Sequence, residues 1–280
     1  MRWCVSIGVV LVAGLAAGGV AGIAAPNPAS QQAADSRDKS PSVDIELVIA
    51  VDVSYSMDLD ELAVQREGYA QALVSKEFLQ ALKNGPNSKI AVTYFEWSAS
   101  TDQKIIIPWR VIDGPESADA VAAEIMKTPV RRGSRTSISG AIDFAMPLFD
   151  ENPYRGTRRV IDISGDGPNN NGVPVTGERD AALAKGIVIN GLPIMVKEPS
   201  YSTMDIDNLD LYYEDCVIGG PGSFVVSIKD RERFKEAIRT KLTLEVAGTT
   251  PEHRVVPAAQ REPRVPCLIG EKIWQDRWGR

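Results

Sequence analysis

The sequence predicts an α/β domain: a doubly wound, mostly parallel sheet with one antiparallel edge strand and helices on both faces. Three observations carry this. Apolar runs of strand length alternate with segments whose apolar residues recur at three- and four-residue steps, the order that builds a parallel sheet. The first run, VDIELVIAV (43–51), is nearly continuous at its end, as expected of a strand covered on both faces. The runs 89–97 and 104–112 are separated by a short polar loop, the mark of a hairpin that turns one strand antiparallel.

After the first strand, Leu62, Ala63, Ala70, Leu73, Val74, Phe78, Ala81 and Leu82 predict one helix over about 58–83, broken by NGPNS (84–88). The hairpin follows. ESADAVAAEIMK (116–127) reads as a short helix and TPVRRGSR (128–135) as a loop. Ile138, Ala141, Ile142 and Ala145 mark a helix that ends near Pro147. TRRVIDIS (157–164) is a strand and GDGPNNNG (165–172) a turn-rich loop. A helix over GERDAALAKG (177–186), a strand over IVINGLPIMV (187–196) and a helical stretch at 208–215 come next. SFVVSI (223–228) is expected to be the last strand. Phe234, Ala237, Ile238, Leu242 and Val246 make the closing helix, with Gly248 as its stop.

The ends differ from this middle. Residues 1–25 hold one charge, Arg2, then small and apolar residues before Pro26, which resembles a secretory signal peptide. Residues 26–42 are polar and read as a disordered linker, 43–248 as the domain and 249–280 as a Pro-rich tail. Removal of 1–25 takes the formal net charge from −6 to −7, which argues against a nucleic-acid surface. It also leaves two cysteines, Cys216 and Cys267, an even pair expected to bond in an oxidising compartment. The expected location is periplasmic or secreted, with no stable membrane insertion once the leader is cut.

The chemistry gathers where the first strand stops. In VDVSYSM (51–57), Asp52, Ser54 and Ser56 occupy every second position, so an extended backbone turns one carboxylate and two hydroxyls the same way. Hard divalent cations take such oxygen ligands. Open α/β sheets bind ligands outside the carboxyl ends of their strands, where strand order reverses. Thr136, in RRGSRTSISGAIDFA, and Asp166, in ISGDG, are the candidates for two further oxygens.

These five residues, in this element order, resemble the von Willebrand factor A domain with a metal-ion-dependent adhesion site. The stretches VIDISGDGPNNNG, INGLPI and YYEDCVIGGPGSFV are similar to an exported bacterial subfamily with no assigned function. The resemblance implies Mg²⁺ (or Mn²⁺ or Ca²⁺ at the same site) at Asp52, Ser54, Ser56, Thr136 and Asp166. The hydroxyls would bind directly and the aspartates largely through water. It further implies a partner protein that presents an Asp or Glu to complete the metal's shell. Tyr55 stands where the family often has Gly, and is expected to rim the site. Gly165 stands where Thr is frequent.

Other residues have competing readings. Asp162, inside an apolar strand, either supports the site or makes a local hydrogen bond. Asn169 and Asn170 either line the rim or form a solvated turn. An enzyme is not expected: the only histidine is His253, in the tail, so neither a Ser-His-Asp triad nor a His-rich metal site can be built around it. The reading is a metal-dependent protein-binding module. Its alternatives are a metal-free scaffold of an envelope assembly and, behind that, a metal-assisted hydrolase.

Overall fold

The structure, a computed structural model, describes residues 41–197, 205–248 and 263–279. The expected signal peptide, all but the last two residues of the linker, and His253 lie outside the described residues. Strand β1 (Ser42–Asp52) begins one residue inside the expected linker. Around it lie β2 (Ile90–Trp97), β3 (Gln103–Ile112), β4 (Arg155–Gly165) and β5 (Ile187–Pro193), in the order β3-β2-β1-β4-β5. β2 and β3 are antiparallel; the other neighbours are parallel. The chain fills one side of β1 with β2 and β3, then crosses to β4 on the other. The order therefore reverses at β1, and the crevice beyond Asp52 and Gly165 is the place such a sheet offers a ligand.

Alternation along β1 divides the core. Leu47, Ile49 and Val51 face α1 (Leu59–Leu73), α2 (Lys76–Asn84), α3 (Pro115–Lys127) and α7 (Phe234–Ala247). Val48 and Ala50 face α4 (Ile138–Leu148), α5 (Val175–Ala184) and α6 (Leu209–Tyr212) with the π-helical turn Tyr213–Val217 that continues it. A last helix, α8 (Ile269–Trp278), lies in the stretch expected to be only a Pro-rich tail. Among the described residues, no helix is long and apolar enough to cross a membrane.

Two expectations are corrected. The single helix over 58–83 is two, because Ser75 ends one and starts the other: its hydroxyl donates to Ala72 O at 2.8 Å and accepts from Phe78 N at 3.2 Å. The run 223–228 does not form a regular sixth strand. Its pairing with the sheet is reduced to the isolated bridges Gly191↔Val225 and Ile194↔Ile228. Between them lies Pro193, which ends β5 three residues early and has no N–H to donate; its carbonyl accepts from Ile228 N at 2.9 Å. The left-handed stop at Gly248, φ 64°, matches the expectation.

Asp162 resolves in favour of a local role. It points to α7, where Lys241 Nζ lies 2.5 Å from its Oδ1 and 2.6 Å from Glu245 Oε1. Asn190 Nδ2 donates to Glu245 Oε2 at 2.8 Å, and Asn190 Oδ1 accepts from Phe224 N at 2.8 Å. One buried cation thus ties β4 to α7, and Asn190 ties β5 and the irregular 223–228 segment to the same cluster. Burial pushes the Asp162 carboxyl up to about 6, with Glu245 adding and Lys241 opposing. Burial works against the Lys241 ammonium, but Asp162 and Glu245 outweigh it and raise its pKa.

Removing Lys241 would leave two buried carboxylates without their cation. Lys241→Met should lose about 3–5 kcal/mol of stability at pH 7, read as a shift of the urea midpoint. The folded pKa of Asp162 lies above its ordinary 3.8, so the folded state binds the proton more tightly than the unfolded one. The variant should therefore recover stability as pH is lowered from 7 towards 4. A midpoint equal to wild type at pH 7 would show that the cluster does not hold α7.

Candidate metal centre

Asp52 is the last residue of β1 and Asp166 follows the last residue of β4, so the parallel pairing of these strands puts both carboxylates at one sheet edge. Both are buried. Asp52 Oδ1 accepts from Ser54 N at 2.7 Å, which folds the chain over so that the serines follow the carboxylate. Ser54 Oγ and Ser56 Oγ are 2.8 Å apart, and Ser56 Oγ donates to Asp166 Oδ1 at 2.5 Å. Four of the five expected residues are joined by this chain of contacts.

Thr136 arrives by a separate route. The 128–135 loop runs beside the end of β1: Ser54 bridges Gly133, and Gly133 N donates to Val53 O at 2.8 Å. Arg131 anchors the loop. Its guanidinium binds both Asp102 oxygens at 2.9 Å, Glu96 Oε2 at 3.1 Å and Glu96 O at 3.0 Å. Arg135 takes a left-handed turn, φ 69°, just before Thr136. Thr136 is then clamped by Asn170, whose Oδ1 accepts from Thr136 N at 3.0 Å and whose N donates to Thr136 O at 2.8 Å. Asn170 thus fixes Thr136 beside the loop that starts at Asp166.

Asn169 does not line a rim. It is wholly buried, and its Oδ1 accepts from Ser139 N at 3.0 Å and from Ser139 Oγ at 3.2 Å. Its Nδ2 donates to Val173 O at 3.1 Å and to Glu271 Oε1 at 2.7 Å. Tyr55 is at the rim, 60% exposed between the two serines. Asp162 is not brought to the site.

The donor set suits a hard cation. Among the described residues no group of three or more His, Cys, Asp or Glu is placed to hold a metal; the candidate set is instead three hydroxyls and two carboxylates. Asp52 Oδ2 is buried and has no hydrogen-bond partner among the described residues. A carboxylate oxygen in that position is costly unless water or a cation meets it. Burial and then the neighbouring Asp166 hold the Asp52 carboxyl well above the usual range. Burial pushes Asp166 up to about 7; Asp205 and Glu61 add to the shift, while the Ser56 hydroxyl and Lys197 oppose it. Two like charges share one buried space, and a divalent cation between them would favour ionisation of both. These residues fit the group.

Gly165 has a reason here. A Cβ on it would fall 2.9 Å from both Asp52 Oδ2 and the Tyr213 hydroxyl, so a threonine at this position would collide with the carboxylate. Tyr213 comes from the π-helical turn and was not singled out for the site by sequence; nothing local distinguishes it from any core tyrosine. Lys197 was also missed. It donates to Ser56 O at 2.5 Å and pairs with Glu61, the residue that closes the capping box of α1 with Asp58.

The tail reaches the same loops. Cys216 and Cys267 form the expected disulfide. Beyond it, Gly270 packs so closely on Asn169 that a Cβ would lie 2.0 Å from its carbonyl oxygen. Glu271 holds the Asn169 side chain, and the Arg135 guanidinium lies 3.8 Å from the centre of the Trp274 ring. Helix α8 is therefore clamped against Arg135, which precedes Thr136, and Asn169, in the loop that follows Asp166.

A family profile described as "Protein of unknown function (DUF1194)" matches residues 42–250. No curated protein matches. Among solved structures, a von Willebrand factor type A protein from Catenulispora acidiphila is 15% identical with a TM-score of 0.50, covering 74% of this chain and 43% of that one. The pilus adhesin SpaC from Lactobacillus rhamnosus GG is 12% identical with a TM-score of 0.53, covering 74% and 30%. A mussel byssus protein, proximal thread matrix protein 1 with a zinc-occupied MIDAS motif, is 18% identical with a TM-score of 0.48, covering 74% and 49%. The chain thus spans less than half the length of each of these three proteins. Likeness at these identities shows the fold alone, and the fold is of the von Willebrand factor A type.

The clamp has a measurable consequence. The disulfide joins residues 51 apart, and its loss in Cys216→Ser/Cys267→Ser should cost roughly 4 kcal/mol through the unfolded chain. Hydrogen exchange should also accelerate at the amides of 169–171 and 136–140, which α8 and Asn169 hold. Unchanged exchange in both segments would mean that α8 does not support the site.

Proposed function

The chain belongs to the family of proteins of unknown function DUF1194, and from that premise we propose that it is an exported, metal-dependent protein-binding module. A divalent cation, Mg²⁺ first, would be held by Asp52, Ser54, Ser56, Thr136 and Asp166, and a partner protein would present an Asp or Glu to it. One observation carries the reading. Two buried carboxylates and two hydroxyls meet at the topological switch of the sheet with the Thr136 loop beside them, and one buried oxygen, Asp52 Oδ2, has no donor among the described residues. Lys197, the cation at this edge, donates to Ser56 O and pairs with Glu61, and no ion pair joins a Lys or Arg to Asp52 or Asp166 among the described residues.

When bound, the cation supplies an electrophilic position that an incoming carboxylate oxygen can complete. The chain's own residues set the terms of that exchange. Ser54, Ser56 and Thr136 are neutral donors and leave the cation's charge largely uncancelled. Asp52 and Asp166, fixed by Ser54 N and Ser56 Oγ, hold the surrounding shell. Few direct carboxylates imply modest affinity and ready exchange. Tyr55, at the rim, limits what can approach. Ser56 Oγ does sit on a carboxylate, Asp166, but both belong to the proposed ligand set, and the reading adopted is binding. Export rests on the leader-like 1–25 and is supported by the disulfide, which suits an oxidising compartment.

Calorimetric titration of the mature protein with Mg²⁺ should give a saturable heat that Asp52→Asn abolishes while circular dichroism stays unchanged. Thr136→Ala should weaken Mg²⁺ binding and leave the fold intact. Equal heats for wild type and Asp52→Asn would sink the metal reading and leave a metal-free scaffold in its place.

A further inference from the structure

Two exposed arginines stand at the edge of the metal centre, one on each approach. Arg132 donates from Nη2 to Tyr55 O, the main-chain oxygen between Ser54 and Ser56, and its guanidinium lies 5.1 Å from the centre of the Tyr55 ring. Arg135 immediately precedes Thr136, is turned outward by its left-handed backbone, and stacks 3.8 Å from the centre of the Trp274 ring. Neither has an ion pair with a carboxylate among the described residues. Arg131, next in sequence, is the contrast: Glu96 and Asp102 take up its guanidinium. Lys197 at the same edge is occupied by Glu61 and Ser56 O.

A guanidinium forks onto a carboxylate with two parallel N–H donors, and one already held flat on an aromatic ring loses less rotamer freedom when it does so. The chain as a whole is acidic, with a formal net charge of −6, so an acidic partner is attracted here by local groups and repelled elsewhere. We propose that the partner surface is an acidic segment with several carboxylates. One would meet the metal, and its neighbours would be gripped by Arg132 on the Tyr55 side and Arg135 on the Trp274 side. This rests on the metal-binding reading above and narrows it from a single acidic side chain to an Asp- or Glu-rich stretch. It also gives Tyr55 and Trp274 a role as platforms that aim the two arginines.

Three synthetic nine-residue Gly/Ser peptides serve as probes: one with a single central Asp, one with that Asp flanked by two more, and one with three Asn. Binding to the mature protein in Mg²⁺ is compared for wild type, Arg132→Gln/Arg135→Gln, and Lys83→Gln/Lys185→Gln. The last pair removes the same charge from exposed residues at the opposite edge of the sheet. Wild type should prefer the three-Asp peptide to the single-Asp peptide by roughly tenfold or more. The arginine variant should lose that preference while keeping its Mg²⁺ heat, and the lysine variant should retain it. A preference that persists in the arginine variant, or that falls equally in the lysine variant, overturns the proposal, as does equal binding of both acidic peptides to wild type. Chelation separates the two claims. If the arginine-dependent preference survives it, the acidic-segment surface stands and the metal reading fails. If both acidic peptides need metal and bind alike, the metal reading stands and the acidic-segment surface fails.

Discussion

Two carboxylates, Asp52 and Asp166, are forced into one buried space because β1 and β4 are parallel neighbours that end together. Like charges in a dry site resist ionisation, and burial raises the pKa of each. Much of the surrounding structure answers this constraint. Ser54 and Ser56 donate into the cluster, and Gly165 leaves room beside Asp52 that any side chain would fill. Arg131, Asn170 and Asn169 bring the distant loop that carries Thr136 alongside. None of them brings a positive charge into contact with the carboxylates.

The contrast with Asp162 is instructive because it lies four residues earlier on the same strand. There the chain provides its own cation: Lys241 reaches in from α7 and sits between Asp162 and Glu245. That cluster has its counter-charge and serves packing, fastening the last helix of the domain to the sheet. At the end of the strand the same chemical problem is left open on one side. A protein that can bury a lysine against one aspartate could do so against another. The difference between the two sites is the strongest internal support for reading the second as a place for an ion from outside.

Much of this was legible in the sequence, for reasons tied to particular residues. Asp52, Ser54 and Ser56 announce themselves because a period of two along an extended chain is a local signal. The parallel core of β1 is legible because burial on both faces removes polar alternation. What was missed depends on contacts between distant segments. The break at Ser75 came from a hydroxyl that serves two helices at once. The run 223–228 has strand composition but meets Pro193, whose missing N–H interrupts the ladder. Asn169 and Asn170 look like any polar turn until their amides are seen holding Ser139 and Thr136. Tyr213 differs from other buried tyrosines only in what borders its hydroxyl.

Helix α8 lies past the end of the family match, which stops at residue 250. It nonetheless grips Asn169 through Gly270 and Glu271, and Arg135 through Trp274. The outline drawn by family membership and the outline drawn by mechanical support of the site are therefore different lines. A fragment ending at 250 would keep all five candidate oxygens and lose the brace behind two of the loops that carry them. The tail is thus a part of the chain where a change can reach the candidate site without altering any of its five residues.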